Sequence, residues 1–122
     1  PLMDARRNQV YTGIYRFDGT ELMIVKDQVA VAIDDIITAL NQIGEKVIFL
    51  GDGVDVYRSC IEEKIAIPYQ FAPAHLNKQS AGAVGVRGLQ YLQKGMIEDA
   101  DTFAPEYLRV SQAERERMNK GL

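Results

Sequence analysis

The chain has one cysteine, Cys60, among 122 residues, which excludes an internal disulfide and suits a reducing cytosol. It has one histidine, His75, so no histidine-pair metal site can form, and no cysteine stands near it at ligand spacing. No nucleophile with a nearby histidine base is evident, so hydrolase chemistry has no visible machinery and no catalytic residue is assigned. There is no basic excess either. Fourteen Lys and Arg against 17 Asp and Glu leave a net charge of −3 and a pI of about 5.1. An autonomous nucleic-acid binder would need a basic face to neutralise phosphates. No segment has the ~18 apolar residues of a membrane span, and the N-terminus lacks a charged region followed by a long apolar one. Repeats and low-complexity linkers are also missing. These absences point to a cytoplasmic protein with no membrane partner, no metal and no resident cofactor.

What is present is an ordinary globular composition, 47% hydrophobic and 25% charged, with length enough for one proper core. The chain opens on Pro1 and runs straight into a strand, which reads as part of a longer polypeptide. Leu2 to Asp4 form a short strand, and Arg6 to Gln9 a tight basic turn. From Val10 the residues are β-branched or aromatic and favour a pleated surface. Val10, Thr12 and Ile14 share one face; Tyr11, Tyr15 and Phe17 share the other. Both faces are apolar, which predicts a strand covered on both sides. Asp18-Gly19 is a hairpin signal. A third strand is expected from Thr20 to Lys26, with Leu22 and Ile24 buried, and residues 27–32 as a connection.

Ile33, Ile36, Ile37, Leu40 and Ile43 recur at helical spacing, with Asp34 and Asp35 in the first turn and Gly44 as a stop. Val47 to Leu50 is a short apolar strand, and Gly51-Asp52-Gly53 turns out of it. Residues 54–65 read as a second helix, with Tyr57, Cys60, Ile61 and Ile65 inward. Tyr69 to Phe71 make a last short strand. Asn77 to Lys94 read as a third helix whose face of Ala81, Gly85 and Gly88 is expected to pack closely on the sheet, since three glycines cost a helix about 1 kcal/mol each. After an acidic loop, Ser111 to Glu114 form a capping box opening a short charged helix that ends near Gly121. Three meandering strands followed by strand–helix units is the pattern of the ribonuclease H-like unit. The pattern alone supports a mixed α/β sheet with helices on both faces.

Two motifs carry a resemblance. Met3-Asp4-Ala5-Arg6-Arg7 followed by Val10-Tyr11, and Pro105-Glu106-Tyr107-Leu108-Arg109 near the other end, resemble the second domain of the TsaB (YeaZ) family. That family is the non-catalytic partner in the bacterial complex that places threonylcarbamoyl on the tRNA adenosine next to the anticodon. The resemblance covers nearly the whole chain but only the C-terminal half of a family member. It implies the ribonuclease H-like half of an actin-like ATPase fold, with a mixed five-stranded sheet. Residues 1–110 would form that domain and residues 111–122 a charged helix or tail. The implied partners are the catalytic subunit TsaD, the ATPase TsaE and the family member's own first domain, with a homodimer as a further option.

The same resemblance sorts the candidate site residues. In actin-like ATPases the first hairpin of each half carries glycines that close around phosphates. Here the turn is Arg6-Arg7-Asn8-Gln9, without glycine, which argues against ATP hydrolysis by this half. Asp4 either stabilises the fold by pairing with an arginine or, with Arg6 and Arg7, faces a partner. Gly51, Asp52 and Gly53 lie where actin-like proteins touch adenosine, and a helix N-terminus there can receive an anion. A glycine turn is needed after that strand in any case. Tyr107 and Leu108 are read first as anchoring the tail on the sheet, and Tyr107 with Arg109 otherwise as meeting a partner. Cys60 is read as core and His75 as a loop residue. The label "glycoprotease" sometimes given to the family finds no protease site here. The competing functions are a nucleotide-binding half of an actin-like kinase, and a self-associating interaction domain.

Overall fold

The computed structural model describes residues 1–120. The chain divides into two compact units, residues 1–79 and the stretch from Ser80 onward. The first unit runs β1 (Leu2–Asp4), β2 (Gln9–Asp18), β3 (Glu21–Ala32), α1 (Ile33–Ile43), β4 (Val47–Phe49), α2 (Gly53–Lys64) and β5 (Tyr69–Phe71), and then a 3-10 turn at Ala74–Leu76. The second holds α3 (Ala81–Gln93) and α4 (Gln112–Asn119). This is a mixed α/β architecture. The five strands are divided, however, between an antiparallel sheet β1-β2-β3 and a parallel pair β4-β5, rather than one ladder. β1 spans three residues, too few to hold a full ladder on both sides. The link between the sheets is a hydrogen bond of 2.7 Å from the Leu2 N–H to the Leu50 carbonyl.

The core forms where the helical and strand periodicities meet. Ile33, Ile36, Ile37 and Leu40 of α1 bury against Leu2, Val10 and Phe49 from the strands and Val54, Tyr57 and Ile61 from α2. Full burial of each such aliphatic side chain contributes about 1.5–3 kcal/mol. Gly44 closes α1 in the left-handed region (φ 75°), and its N–H donates to the Leu40 carbonyl. Phe71 completes the far side of the core edge, 6.0 Å from Phe49 between ring centres, with the Arg58 guanidinium over it at 4.0 Å.

Several expectations are corrected. β3 does not stop at Lys26. It continues to Ala32, because Gln9 to Thr12 pair with Val29 to Ala32, and the polar stretch at Lys26 falls beside a bulge around Gly13 and Ile14. The tip of that hairpin is open: Ile24 is 61% and Phe17 70% exposed, so the expected burial of both is wrong. Met3 and Ile48 are exposed too, so one face of each sheet is uncovered at these positions. The third helix begins at Ala81 rather than Asn77, because Ser80 caps it through the Ala83 N–H. Within the second unit nothing stands within 4 Å of where a Cβ would sit at Gly85 or Gly88. The capping box of Ser111 and Glu114 is present with both of its hydrogen bonds. The expected end of that helix near Gly121 lies outside the described residues.

Two outcomes follow. Ile61→Ala removes a fully buried side chain and is expected to cost about 3 kcal/mol in a denaturant titration. Gly85→Ala and Gly88→Ala place methyls in open space on α3, and each should raise stability by roughly 0.5–1 kcal/mol, read as a higher unfolding midpoint. A loss at either glycine would mean that something does pack there.

Candidate functional site

Asp4 is the last residue of β1, and the chain must reverse at once to start β2. It does so with three successive non-glycine residues in the left-handed region: Arg6 (φ 63°), Arg7 (φ 56°) and Asn8 (φ 57°). Each costs roughly 1–2 kcal/mol for an ordinary L-residue, less for asparagine. The turn persists because its surroundings over-determine it. The Asp4 carboxylate accepts from the Arg6 N–H at 2.9 Å, the Ala5 N–H donates to the Gln9 carbonyl at 2.9 Å, and the Gln9 N–H returns to the Arg6 carbonyl at 3.0 Å. The Asn8 carbonyl accepts from the Ile33 N–H at 3.0 Å, which ties the turn to the start of α1.

From the other side, α2 brings the Tyr57 hydroxyl to Asp4 Oδ1 at 3.1 Å, with the Gln9 carbonyl also in reach at 3.3 Å. Burial, and then the hydrogen bond to Asp4, push the Tyr57 hydroxyl above its ordinary pKa. The Asp4 N–H donates to Asp52 Oδ1 at 3.3 Å. Arg6 reaches Asp4 Oδ2 at 3.6 Å, but its own side chain is 87% exposed. Such a pair contributes little to stability and leaves the guanidinium presented outward.

The Gly51-Asp52-Gly53 turn lies against this arrangement. Gly51 has φ 107°, and a Cβ on it would strike the Leu2 carbonyl. Its N–H is held by Asn77 Oδ1 at 2.7 Å, and Asn77 is itself buried. A Cβ on Gly53 would also crowd Leu2. The glycines therefore serve the close passage of β1. The structure thus brings Asp4, Arg6, Asp52 and Tyr57 together. Tyr107 and Arg109 lie in the second unit, where Tyr107 is exposed and Arg109 is half-buried. His75 is exposed on the 3-10 turn. Among the described residues, no group of three His, Cys, Asp or Glu is placed to hold a metal, and no helix is long and apolar enough to cross a membrane.

The family model for TsaD, tRNA N6-adenosine threonylcarbamoyltransferase, matches residues 1–117. The chain belongs to this family. It is also 29% identical over 115 residues to the tRNA threonylcarbamoyladenosine biosynthesis protein TsaB of Bacillus subtilis (strain 168), a match covering 93% of this chain and 48% of that protein. The chain thus spans about half the length of the curated relative it matches. Together these identify a TsaB/YeaZ-like protein of the glycoprotease-like group, as the two terminal motifs implied.

Sequence pattern does not point to two members of this cluster. The pattern predicts Asn77 as the first residue of a helix, and nothing local marks it as the acceptor for Gly51. Tyr57 was placed inward correctly, but its hydroxyl's reach to Asp4 depends on how α2 crosses β1. A second polar cluster joins α1 to α2: Lys64 Nζ lies 2.7 Å from Asp34 Oδ1, which also accepts from Cys60 Sγ at 3.5 Å. The hydrogen bond that Lys64 donates to Asp34 holds the Asp34 carboxyl below its ordinary pKa and raises that of Lys64. Burial, and then the neighbouring Asp34 carboxylate, push the Cys60 thiol up, which makes it a poor nucleophile at neutral pH.

These geometries generate two outcomes. Asn8→Gly relieves the turn and should leave stability unchanged or raise it by up to ~1 kcal/mol, whereas Asn8→Val should lose about 2 kcal/mol by denaturant titration. Asp34→Asn removes the negative charge beside the thiol and weakens the acceptor of its proton. Cys60 should then ionise at lower pH, and maleimide labelling at pH 7 should speed up by roughly threefold or more. An unchanged or slower rate would contradict this account of the thiol.

Proposed function

We propose that this chain is the second domain of a TsaB-like, non-catalytic subunit of the machinery that puts threonylcarbamoyl on tRNA adenosine. The observation that carries the reading is the match to TsaB over 93% of the chain. It is supported by the way the first turn is built. The N–H groups of Arg6 and Gln9 are engaged by Asp4 and by the Arg6 carbonyl, and a phosphate cradle needs such groups turned outward.

In this reading residues 1–110 act as a ribonuclease H-like domain, its five strands working as one sheet in the order β3-β2-β1-β4-β5 with helices over both faces. Residues 111–122 are an accessory tail. The domain follows its own first domain in a longer cytoplasmic polypeptide, which pairs with the TsaD-type catalytic subunit largely through that first domain, and a TsaE-type ATPase acts on the assembly. A homodimer through the same surfaces is the competing assembly. Arg6, Arg7, Tyr107 and Arg109 are the partner-facing candidates, while Asp4 serves the fold.

The alternative, a nucleotide-binding half of an actin-like kinase, would place adenosine near Gly51 to Gly53. There the Gly51 N–H is engaged by Asn77, and both glycines back onto Leu2. Titrating ATP into the full-length protein should give no heat, and a saturable isotherm lost in Asn77→Ala would favour the kinase reading. The full-length protein should retain a purified TsaD-type subunit on a column, and this chain by itself should not do so at low-micromolar concentration. Tight retention of the isolated chain would overturn the division of roles between the two domains.

A further inference from the structure

β3 is the outer strand of the antiparallel sheet, with β2 on one side and, among the described residues, no ladder partner on the other. Its stretch from Met23 to Gln28 is exposed residue after residue. Near the hairpin turn Phe17 is 70%, Ile24 61% and Met23 52% exposed. The register sorts these side chains. Asp18 faces Glu21 across a two-residue turn, Phe17 faces Leu22, Arg16 faces Met23 and Tyr15 faces Ile24. Tyr15, Phe17, Leu22 and Ile24 therefore share one apolar face. Ile14 next faces Lys26, so Val25 is an extra residue, and the bulge leaves Glu21, Met23 and Lys26 together on the opposite face. Bonded and non-bonded pairs alternate along an antiparallel ladder, and the pair that closes a two-residue hairpin is a bonded one. Leu22 and Ile24 thus turn their backbone N–H and C=O groups to the open edge.

We propose that this edge pairs with the same edge of a second copy of the chain, antiparallel, about a two-fold axis at Met23. In that register Leu22 of one copy faces Ile24 of the other on both sides of the axis, and each such pair exchanges its backbone hydrogen bonds. Met23 faces Met23 in a non-bonded pair, with Cα atoms about 4.5 Å apart. Phe17 and Leu22 of one copy continue into Ile24 and Tyr15 of the other as one apolar row, which covers Ile24. Charge complementarity selects a second copy as the occupant. The uncharged run 22–25 is flanked by acidic Glu21 on one side and basic Lys26 on the other. Antiparallel pairing of the edge with itself sets each Glu21 beside the other copy's Lys26, on the Met23 face. The Asp27 carboxylate is turned to its own neighbour, accepting from the Gln28 N–H at 2.8 Å. The bulge at Val25 ends the regular ladder, which pins the register and keeps the contact small. Because both copies use the same edge, the pair is closed and does not propagate.

Sedimentation velocity on this chain over a range of concentrations tests it. The chain should pass from monomer to dimer with a dissociation constant on the order of 100 µM, as suits a contact at the small end of specific interfaces. Met23→Lys places two ammonium groups at the axis and should weaken association at least roughly tenfold. Mixing it with Met23→Glu should restore the dimer, since unlike charges then face each other. Both variants should keep the circular dichroism and Tm of the parent, because Met23 is exposed. In the unmodified protein, hydrogen exchange at Leu22 and Ile24 should slow by roughly tenfold between dilute and concentrated samples, because dimerisation bonds those amides. A chain that is still monomeric at about 1 mM overturns the inference. So does a dimer that Met23→Lys leaves intact, a mixture that stays monomeric, or exchange at Leu22 and Ile24 that ignores concentration. No readout involves a TsaD-type partner, so failure here leaves the proposed function standing, and loss of partner binding leaves this pairing standing.

Discussion

The fold of the first unit depends on a carboxylate held at a chain reversal. Asp4 ends a three-residue strand, and the chain turns through three left-handed residues that carry side chains. That conformation is unfavourable by itself. It is stable here because one carboxylate gathers a backbone N–H, the Tyr57 hydroxyl and the Arg6 guanidinium, while the turn's carbonyls anchor Gln9 and the start of α1. Burial of Tyr57 makes the Asp4 contact matter, since a buried hydroxyl without a partner costs about 1–3 kcal/mol. The strain of the turn and the placement of both helices are thus parts of one balance.

The same crowding dictates the second loop. β1 passes so close to the exit of β4 that no side chain fits at Gly51, and Asn77 must come from a distant turn to satisfy the freed N–H. In this loop the Gly51 N–H is engaged by the Asn77 side chain and the space beside Gly51 is filled by the Leu2 backbone. The exposed chemistry lies elsewhere, on Arg6 and along the open edge of β3.

α1 was legible residue for residue, because five isoleucine and leucine positions at helical spacing and a glycine stop leave no competing pattern. β5 and the capping box of α4 were equally plain. β3 was cut short in the reading because Lys26 to Gln28 look like a turn, and only pairing with β2 carries the strand past them. The glycines of α3 read as a packing face because helical glycine is costly, and within their own unit the space beside Gly85 and Gly88 is open. At the site, Asp4 and Arg6 were seen together because they are two residues apart. Asn77 was not, because its partner is 26 residues away.

By itself the sequence determined the element types, the composition of the core and, through two short motifs, the TsaB-like kinship. These are properties of local spacing and side-chain character, which a linear chain displays directly. Only the tertiary structure decided how the strands divide into sheets, which glycines are crowded, and which side chains meet at Asp4. Those depend on how closely backbones far apart in sequence approach one another, and a few ångströms of approach have no signature in residue order.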